Sequence, residues 1–253
     1  MEKQQNESIG RLFVEQTSYH DFAQTDRRQG KPQPPIYWEA DPRAKEIRLP
    51  RMEKCALPEK ALWDAMMQRR SRRAYSGAPL TLEQVSALCW MTQGVQEEIE
   101  FNGKATRRPV PSAGAKHAIE TLLLVRRAEG LAPGLYRYLP QKHALVWHKE
   151  TDQAWSRAME AAFTSNRFQK QAAATFFWAA VPARMVWHHG QRGYRNLYLD
   201  AGHIGQNLYL TAEGMGLSAC TMCVFDDEQM HALLSLGKEM FLLYAAAVGG
   251  RAG

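Results

Sequence analysis

The sequence is poor in the features that mark secreted, membrane-spanning or nucleic-acid-binding proteins. Four cysteines occur in 253 residues, too few for a disulfide framework in a chain of this length. No apolar run approaches the roughly 18 residues that a membrane span requires. The segment Met1-Glu2-Lys3-Gln4-Gln5-Asn6-Glu7 contains no hydrophobic signal core. These absences predict a cytoplasmic protein with no membrane partner. Helix-turn-helix, zinc-finger and RNP-type patterns are missing. Acidic residues interrupt the basic ones almost everywhere, so the formal charge of +6 suits an anionic ligand and predicts no nucleic-acid partner. A Gly-rich dinucleotide fingerprint is also lacking. The single C-x-x-C, Cys220 to Cys223, has no second ligand pair at zinc spacing in Cys55 and Cys89. It reads as a redox pair, as half a metal site, or as two small apolar residues of a buried strand, and no metal is expected.

What is present is ordinary for a globular domain: 45% hydrophobic and 23% charged residues, enough to bury a sizeable core. Prolines at 32, 34, 35, 42 and 50 predict an extended, loop-rich arm over residues 1–57, with a compact domain over 58–253. Pro58 in a first-turn position and apolar residues at helical spacing predict a helix from Pro58 to about Arg70. Thr81-Leu82-Glu83-Gln84 is a capping-box pattern whose helix stops at Gly94. Ile119–Val125, Gly134–Leu139, Ala144–Trp147 and Thr175–Val181 read as strands, the middle two as a hairpin. Residues 152–173 are helical in pattern. The longest helix runs from about Tyr194 to Gly214, with Leu197, Ala201, Ile204, Leu208 and Ala212 as its apolar stripe. Leu217–Phe225, a short helix from about Asp227, and Phe241–Val248 complete the chain. Helices and strands alternate irregularly around a hairpin, which predicts an α+β class, or three layers with a mixed sheet.

Arg69-Arg70-Ser71-Arg72-Arg73 is the densest cluster of positive charge. Four guanidiniums and a hydroxyl so close together suit the oxygens of a phosphate. A solvated basic helix end is the other reading, since the macrodipole stabilises cations there.

Three further segments stand in order behind it: Arg107-Arg108-Pro109-Val110-Pro111-Ser112-Ala113-Gly114-Ala115, Tyr194-Arg195-Asn196-Leu197-Tyr198-Leu199-Asp200-Ala201-Gly202-His203-Ile204-Gly205-Gln206-Asn207, and Gly216-Leu217-Ser218-Ala219-Cys220-Thr221-Met222. In this order and spacing the chain resembles the FMN-dependent nitroreductase family, specifically its SagB-type oxidoreductase branch. The resemblance covers about residues 58–251, with a looser echo at Tyr19-His20-Asp21 and Ile47-Arg48-Leu49-Pro50. It implies a three-layer fold with a central mixed, mainly antiparallel sheet flanked by helices, and a homodimer with FMN at the interface.

The resemblance also assigns residues. Arg69, Ser71 and Arg73 match the family's phosphate and ribityl contacts, and Arg70 a position against the cofactor, while Arg72 falls on a variable position and reads as surface. Pro111, Ser112, Ala113 and Gly114 match a loop that reaches across the interface toward the isoalloxazine; an ordinary Ser-Ala-Gly turn is the plain alternative. Cys223 and Val224 match the stretch whose backbone N–H lies beside flavin N5. Arg251 matches a basic residue that closes on the phosphate, or is a terminal arginine of no special role. His203, Gln206 and Asn207 are expected to make buried hydrogen bonds. The implied activity is ping-pong hydride transfer from NAD(P)H through FMN to a nitroaromatic, quinone or similar small acceptor. The SagB branch also contains azoline-to-azole dehydrogenases with a Lys-Tyr pair just before the Gly190-Gln191-Arg192-Gly193-Tyr194-Arg195 segment. Here that pair is His188-His189, which reads as an active-site base pair or as a polar strand end. A non-enzymatic flavin-binding redox sensor is a third possibility.

Overall fold

The computed structural model of the protein describes residues 2–18, 24–58 and 60–253, without the side chains of residues 2–7. Tyr19-His20-Asp21 lies outside the described residues.

Seven helices are described: α1 (Glu2–Gln16), α2 (Leu62–Gln68), α3 (Leu82–Gln93), α4 (Gln153–Ala162), α5 (Pro182–His189), α6 (Gly193–Gly214) and α7 (Asp227–Leu233). The strands are β1 (Glu46–Arg48), β2 (Glu97–Glu100), β3 (Lys104–Arg107), β4 (Ile119–Val125), β5 (Gly134–Leu139), β6 (Ala144–Lys149), β7 (Ala174–Ala180), β8 (Leu217–Met222) and β9 (Phe241–Gly250). Seven strands form one sheet in the order β1-β6-β5-β4-β7-β9-β8. Each of its strand pairings is antiparallel, and β2 and β3 form a separate hairpin. Among the described residues, parallel pairing is confined to the isolated bridge Leu80–Ala128. This is the expected α+β, mainly antiparallel architecture.

The central strands are apolar on both faces because helices cover both. In β7, Phe176 and Trp178 point to the α3/α6 side and Phe177 to the α4/α7 side, the period-two alternation of a strand. Leu122 and Leu124 of β4 share the Phe177 face, and Leu123 shares the other. The α6 stripe of Leu197, Ala201, Ile204, Leu208 and Ala212 is buried in the first layer as its spacing predicts. Each fully buried Leu or Ile there contributes about 1.5–3 kcal/mol. The opposite face of α6, with Tyr198, Leu199, His203 and Gln206, is exposed. Among the bonds of the described residues, only Asn207 of the three expected polar residues makes a part-buried one, donating to Met91 O at 2.9 Å.

Four local expectations change. The first 16 residues are not extended throughout, because α1 precedes the prolines that break the arm. The helix after Pro58 starts only at Leu62, since Lys60 is drawn to Glu213 on α6 at 2.8 Å. Helix α4 stops at Ala162, and a turn with Thr164 at φ 39° separates it from the 3-10 turn Arg167–Gln171. His188 and His189 end a helix opened by Pro182, not a strand.

Candidate functional site

Arg69 ends α2: its φ/ψ of −54/129 leaves the helical region while its N–H still bonds Ala65 O. From there the chain runs along the β8–β9 edge. Arg72 N donates to Ala219 O at 2.9 Å and Ser76 N to Gly250 O at 2.9 Å. A Cβ at Gly250 would sit 2.3 Å from Ser76 Oγ, so a side chain there would turn the Ser76 hydroxyl aside.

The cluster divides on this path. The Arg69 guanidinium lies 5.1 Å over the Tyr209 ring, and Arg73 lies 5.6 Å over Phe168. Arg70 Nη1 donates to Met67 O and Arg69 O, at the negative end of the α2 dipole. Ser71 Oγ is 2.8 Å from the Tyr209 hydroxyl. That hydroxyl also accepts from Thr221 N at 2.9 Å and meets Thr221 Oγ1, which in turn accepts from Tyr244 at 2.6 Å. Among the described residues, Arg69, Arg70 and Arg73 form no ion pair with a carboxylate.

Arg72 and Arg251 behave differently. Arg72 Nη1 donates to Glu213 Oε2 at 2.5 Å, Arg251 Nη2 donates to the same oxygen at 3.0 Å, and Lys60 Nζ takes Oε1 at 2.8 Å. The Glu213 side chain is 2% exposed. Burial opposes its ionisation, yet the three donated bonds outweigh burial and hold the carboxyl at about 2. Arg72 is therefore not a surface residue, because it fastens the cluster to α6. Arg251, expected to close on a phosphate, joins the same carboxylate.

The second group of expected residues gathers around the first half of α6. Asp200, buried, accepts Ser112 Oγ at 2.6 Å and Ala113 N at 3.1 Å. Burial raises the Asp200 carboxyl above its usual range, against those two bonds and nearby His203. Pro111 is exposed beside this anchor. Gly114 adopts φ +61°, and a Cβ there would lie 3.1 Å from His189 Nε2 and 3.2 Å from His188 Nε2. The two imidazoles meet edge to face at 4.5 Å. Burial, the neighbouring His189 and the cations Lys116 and Arg27 bring His188 down to about 4. His189 is lowered for the same first reason, opposed by a bond to the Ala113 backbone. Both rings are neutral at pH 7. The structure thus brings the Ser112–Gly114 loop and the His188–His189 pair together. It sets the arginine cluster apart, against Tyr209 and Glu213, roughly 14–20 Å farther along α6 at 1.5 Å per residue.

Cys223 is exposed and Val224 is 53% exposed beyond the end of β8, with Val224 O accepting Asn166 Nδ2 at 3.0 Å. Cys220 is buried and all four cysteines are free thiols. Among the described residues no group of His, Cys, Asp and Glu is placed to hold a metal, and no helix is long and apolar enough to cross a membrane.

Asp200, Glu213 and Tyr209 are missed by motif reading. Asp200 carries a signal in hindsight: it lies in phase with Leu197, Ala201 and Ile204 on an apolar face, where a carboxylate needs partners. Glu213 and Tyr209 share a face four residues apart, but nothing local marks them.

The sequence profile of the nitroreductase family matches residues 66–250. A nitroreductase-like protein of Methanocaldococcus jannaschii is 31% identical over 198 residues, 78% of this chain and 93% of its own length. Among solved structures, a nitroreductase-like protein of Anabaena variabilis superposes with a TM-score of 0.64 at 23% identity. The match covers 83% of this chain, and this chain spans 42% of that one. A component of the Escherichia coli microcin synthetase McbBCD complex, solved with truncated pro-MccB17 bound, superposes with a TM-score of 0.60 at 19% identity, over 97% of this chain and 93% of that one. At these identities the two structures speak to the fold alone.

Proposed function

The chain belongs to the nitroreductase family and is an oxidoreductase of that flavin-using kind, and from that premise we propose that it binds FMN and passes hydride from NAD(P)H to a nitroaromatic, quinone or similar small acceptor. The observation that carries this reading is the division of the arginine cluster. Glu213 pairs with Arg72 and Arg251, whereas among the described residues Arg69, Arg70 and Arg73 pair with no carboxylate. Excess guanidiniums beside the Ser71 hydroxyl fit a phosphate group, whose oxygens accept charge-assisted bonds from Arg.

FMN, when bound, supplies the hydride chemistry. The protein's part is binding and placement. Arg69, Ser71 and Arg73 hold the phosphate; Arg70 keeps the α2 terminus closed beside it. Glu213 fixes the segment's path through Arg72. Asp200 holds Ser112 and Ala113 in the turn that seats Gly114, which has no side chain, on His188 and His189, and this loop would line the isoalloxazine side of the site. Cys223 and Val224 present their backbone at the open end of β8. The cluster and the Ser112–Gly114 loop lie at opposite halves of α6 in one chain, which fits a site assembled from two subunits. The apolar face of α2, with Trp63 76% and Met67 74% exposed, is the kind of surface a second copy covers.

A second reading, azoline-to-azole dehydrogenation on a modified peptide, is favoured by one observation: His188 and His189 stand together on the Gly114 turn as neutral imidazoles, the form a general base needs, though their lowered pKa makes them weak bases. Pyridine-nucleotide oxidation with a panel of nitroaromatics and quinones separates the two. Turnover with parallel-line kinetics supports the first, and flavin reduction only by an azoline peptide supports the second.

The cluster itself is tested by Arg69→Ala. Loss of one charge-assisted bond, about 1.5–3 kcal/mol, raises the FMN dissociation constant roughly 10- to 150-fold. Unchanged affinity in a fluorescence titration removes the arginine cluster from the site.

A further inference from the structure

β8 is the outermost strand of the sheet on its side, and an N–H on such an edge needs an acceptor from elsewhere. For Thr221 that acceptor is the hydroxyl of Tyr209, half-buried on α6, at 2.9 Å. The same hydroxyl lies 3.1 Å from Thr221 Oγ1 and 2.8 Å from Ser71 Oγ. The Tyr209 ring carries the Arg69 guanidinium 5.1 Å from its centroid, within reach of a cation–π contact. Arg73 and Tyr209 both stand beside the Cys220 thiol, which burial pushes up and these two groups draw down. One side chain of α6 thus adjoins Arg69, Ser71 and Arg73 together.

The order of hydrogens in this network is set from its inner end. Tyr244, on β9, donates its single hydroxyl hydrogen to Thr221 Oγ1 at 2.6 Å. Its ring passes α6 at Gly205, where a Cβ would lie 2.8 Å from Cε1. Each hydroxyl has one hydrogen to give and two lone pairs to fill. Thr221 Oγ1, having accepted from Tyr244, gives its own hydrogen to Tyr209. Tyr209 then accepts from both Thr221 N and Thr221 Oγ1, which leaves its hydrogen for Ser71 Oγ. The nearby Cys220 sulfur is a weak acceptor and competes poorly for it. Ser71 is exposed, and among the bonds of the described residues its hydroxyl meets only Tyr209. The relay Tyr244–Thr221–Tyr209–Ser71 therefore runs one way. It ends in a serine hydrogen free for an outside acceptor, beside the guanidiniums of Arg69 and Arg73.

We propose that Tyr209 is a positioning residue that commits Ser71 to donating, so that the segment selects a flavin ending in phosphate over one ending in a hydroxyl. The inference rests on the reading of Arg69, Ser71 and Arg73 as the phosphate site. Phosphate oxygens accept charge-assisted bonds and have no hydrogen to offer in return. Riboflavin, which is FMN without the phosphate, brings no anion to the committed donor.

The test titrates full-length protein, freed of flavin, with FMN and with riboflavin. The unaltered protein should bind FMN more tightly. Tyr209→Phe keeps the ring under Arg69 and should raise the FMN dissociation constant roughly tenfold, the order of one bond to a charged group, with riboflavin affinity unchanged. Adding Ser71→Ala to that variant should weaken FMN little further, because the tyrosine hydroxyl acts through the serine. Tyr209→Phe also strips the acceptor from Thr221 N, so a second variant leaves every bond of Tyr209 in place. Tyr244→Phe removes the first donor, which frees Thr221 Oγ1 to take the Tyr209 hydrogen and turns Ser71 inward; it should show the same FMN-specific loss. FMN affinity unchanged in both tyrosine variants overturns the proposal, as does an equal loss for FMN and riboflavin, the mark of a merely structural role. Full additivity of Tyr209→Phe and Ser71→Ala overturns it too. Equal affinity of the unaltered protein for the two flavins is a different failure, since it removes the phosphate reading itself and this inference with it.

Discussion

Replacing Glu213 by Gln probes how the arginine segment is fixed. The substitution keeps the shape of the side chain and removes the charge that Lys60, Arg72 and Arg251 share. A carboxyl held at about 2 instead of 4.5 corresponds to about 3 kcal/mol of native-state stabilisation. The three cations are 23%, 28% and 34% exposed in their side chains, so solvent relieves part of their loss and the expected cost falls to about 2 kcal/mol. The sign with pH is fixed, because a depressed carboxyl pKa stabilises fully above the unfolded value of 4.5 and loses that contribution as pH falls toward 2. Urea unfolding of flavin-free protein reads this without a ligand contribution. The gap between unaltered protein and variant should be about 2 kcal/mol at pH 7 and should shrink steadily below pH 4.5. A gap under about 0.5 kcal/mol at pH 7, or one undiminished at pH 3, refutes the reasoning.

Asp200→Asn sets an amide NH₂ against one of the two donors, Ser112 Oγ or Ala113 N–H, and should cost about 1–3 kcal/mol. An unchanged thermal midpoint would show that the loop needs no such anchor. His188 should titrate at about 4 by NMR, its neutral form stabilising the fold fully above pH 6.5 and losing that contribution as pH falls toward 4; a value near 6.5 would mean that the ring is solvated.

Much of the architecture is legible from local rules because local and tertiary preferences agree. Thr81 and Gln84 form the complete capping box that their spacing predicts, and Gly94 ends that helix. The α6 stripe and the alternation in β4 and β7 lie where the helix and strand periods place them. The failures occur where distant contacts prevail. Lys60 leaves the helical path to reach Glu213, 153 residues away. Arg72 reads as a surface residue because its partner also lies on α6, outside any sequence window. His203 and Gln206 are exposed because they fall on the face of α6 opposite its stripe, which the helical period itself indicates. In the site, the arginine motif and the Ser112–Gly114 loop are visible as patterns, but their anchors, Glu213 and Asp200, are visible only through the fold that brings them near.

The account rests on Arg69, Ser71 and Arg73 holding the phosphate of FMN, and a visible spectrum of the purified, desalted protein tests this most directly. A flavin band at about one FMN per chain, lost on desalting the Arg69→Ala variant, is the predicted result. A colourless protein that still takes up no flavin after incubation with FMN would contradict it.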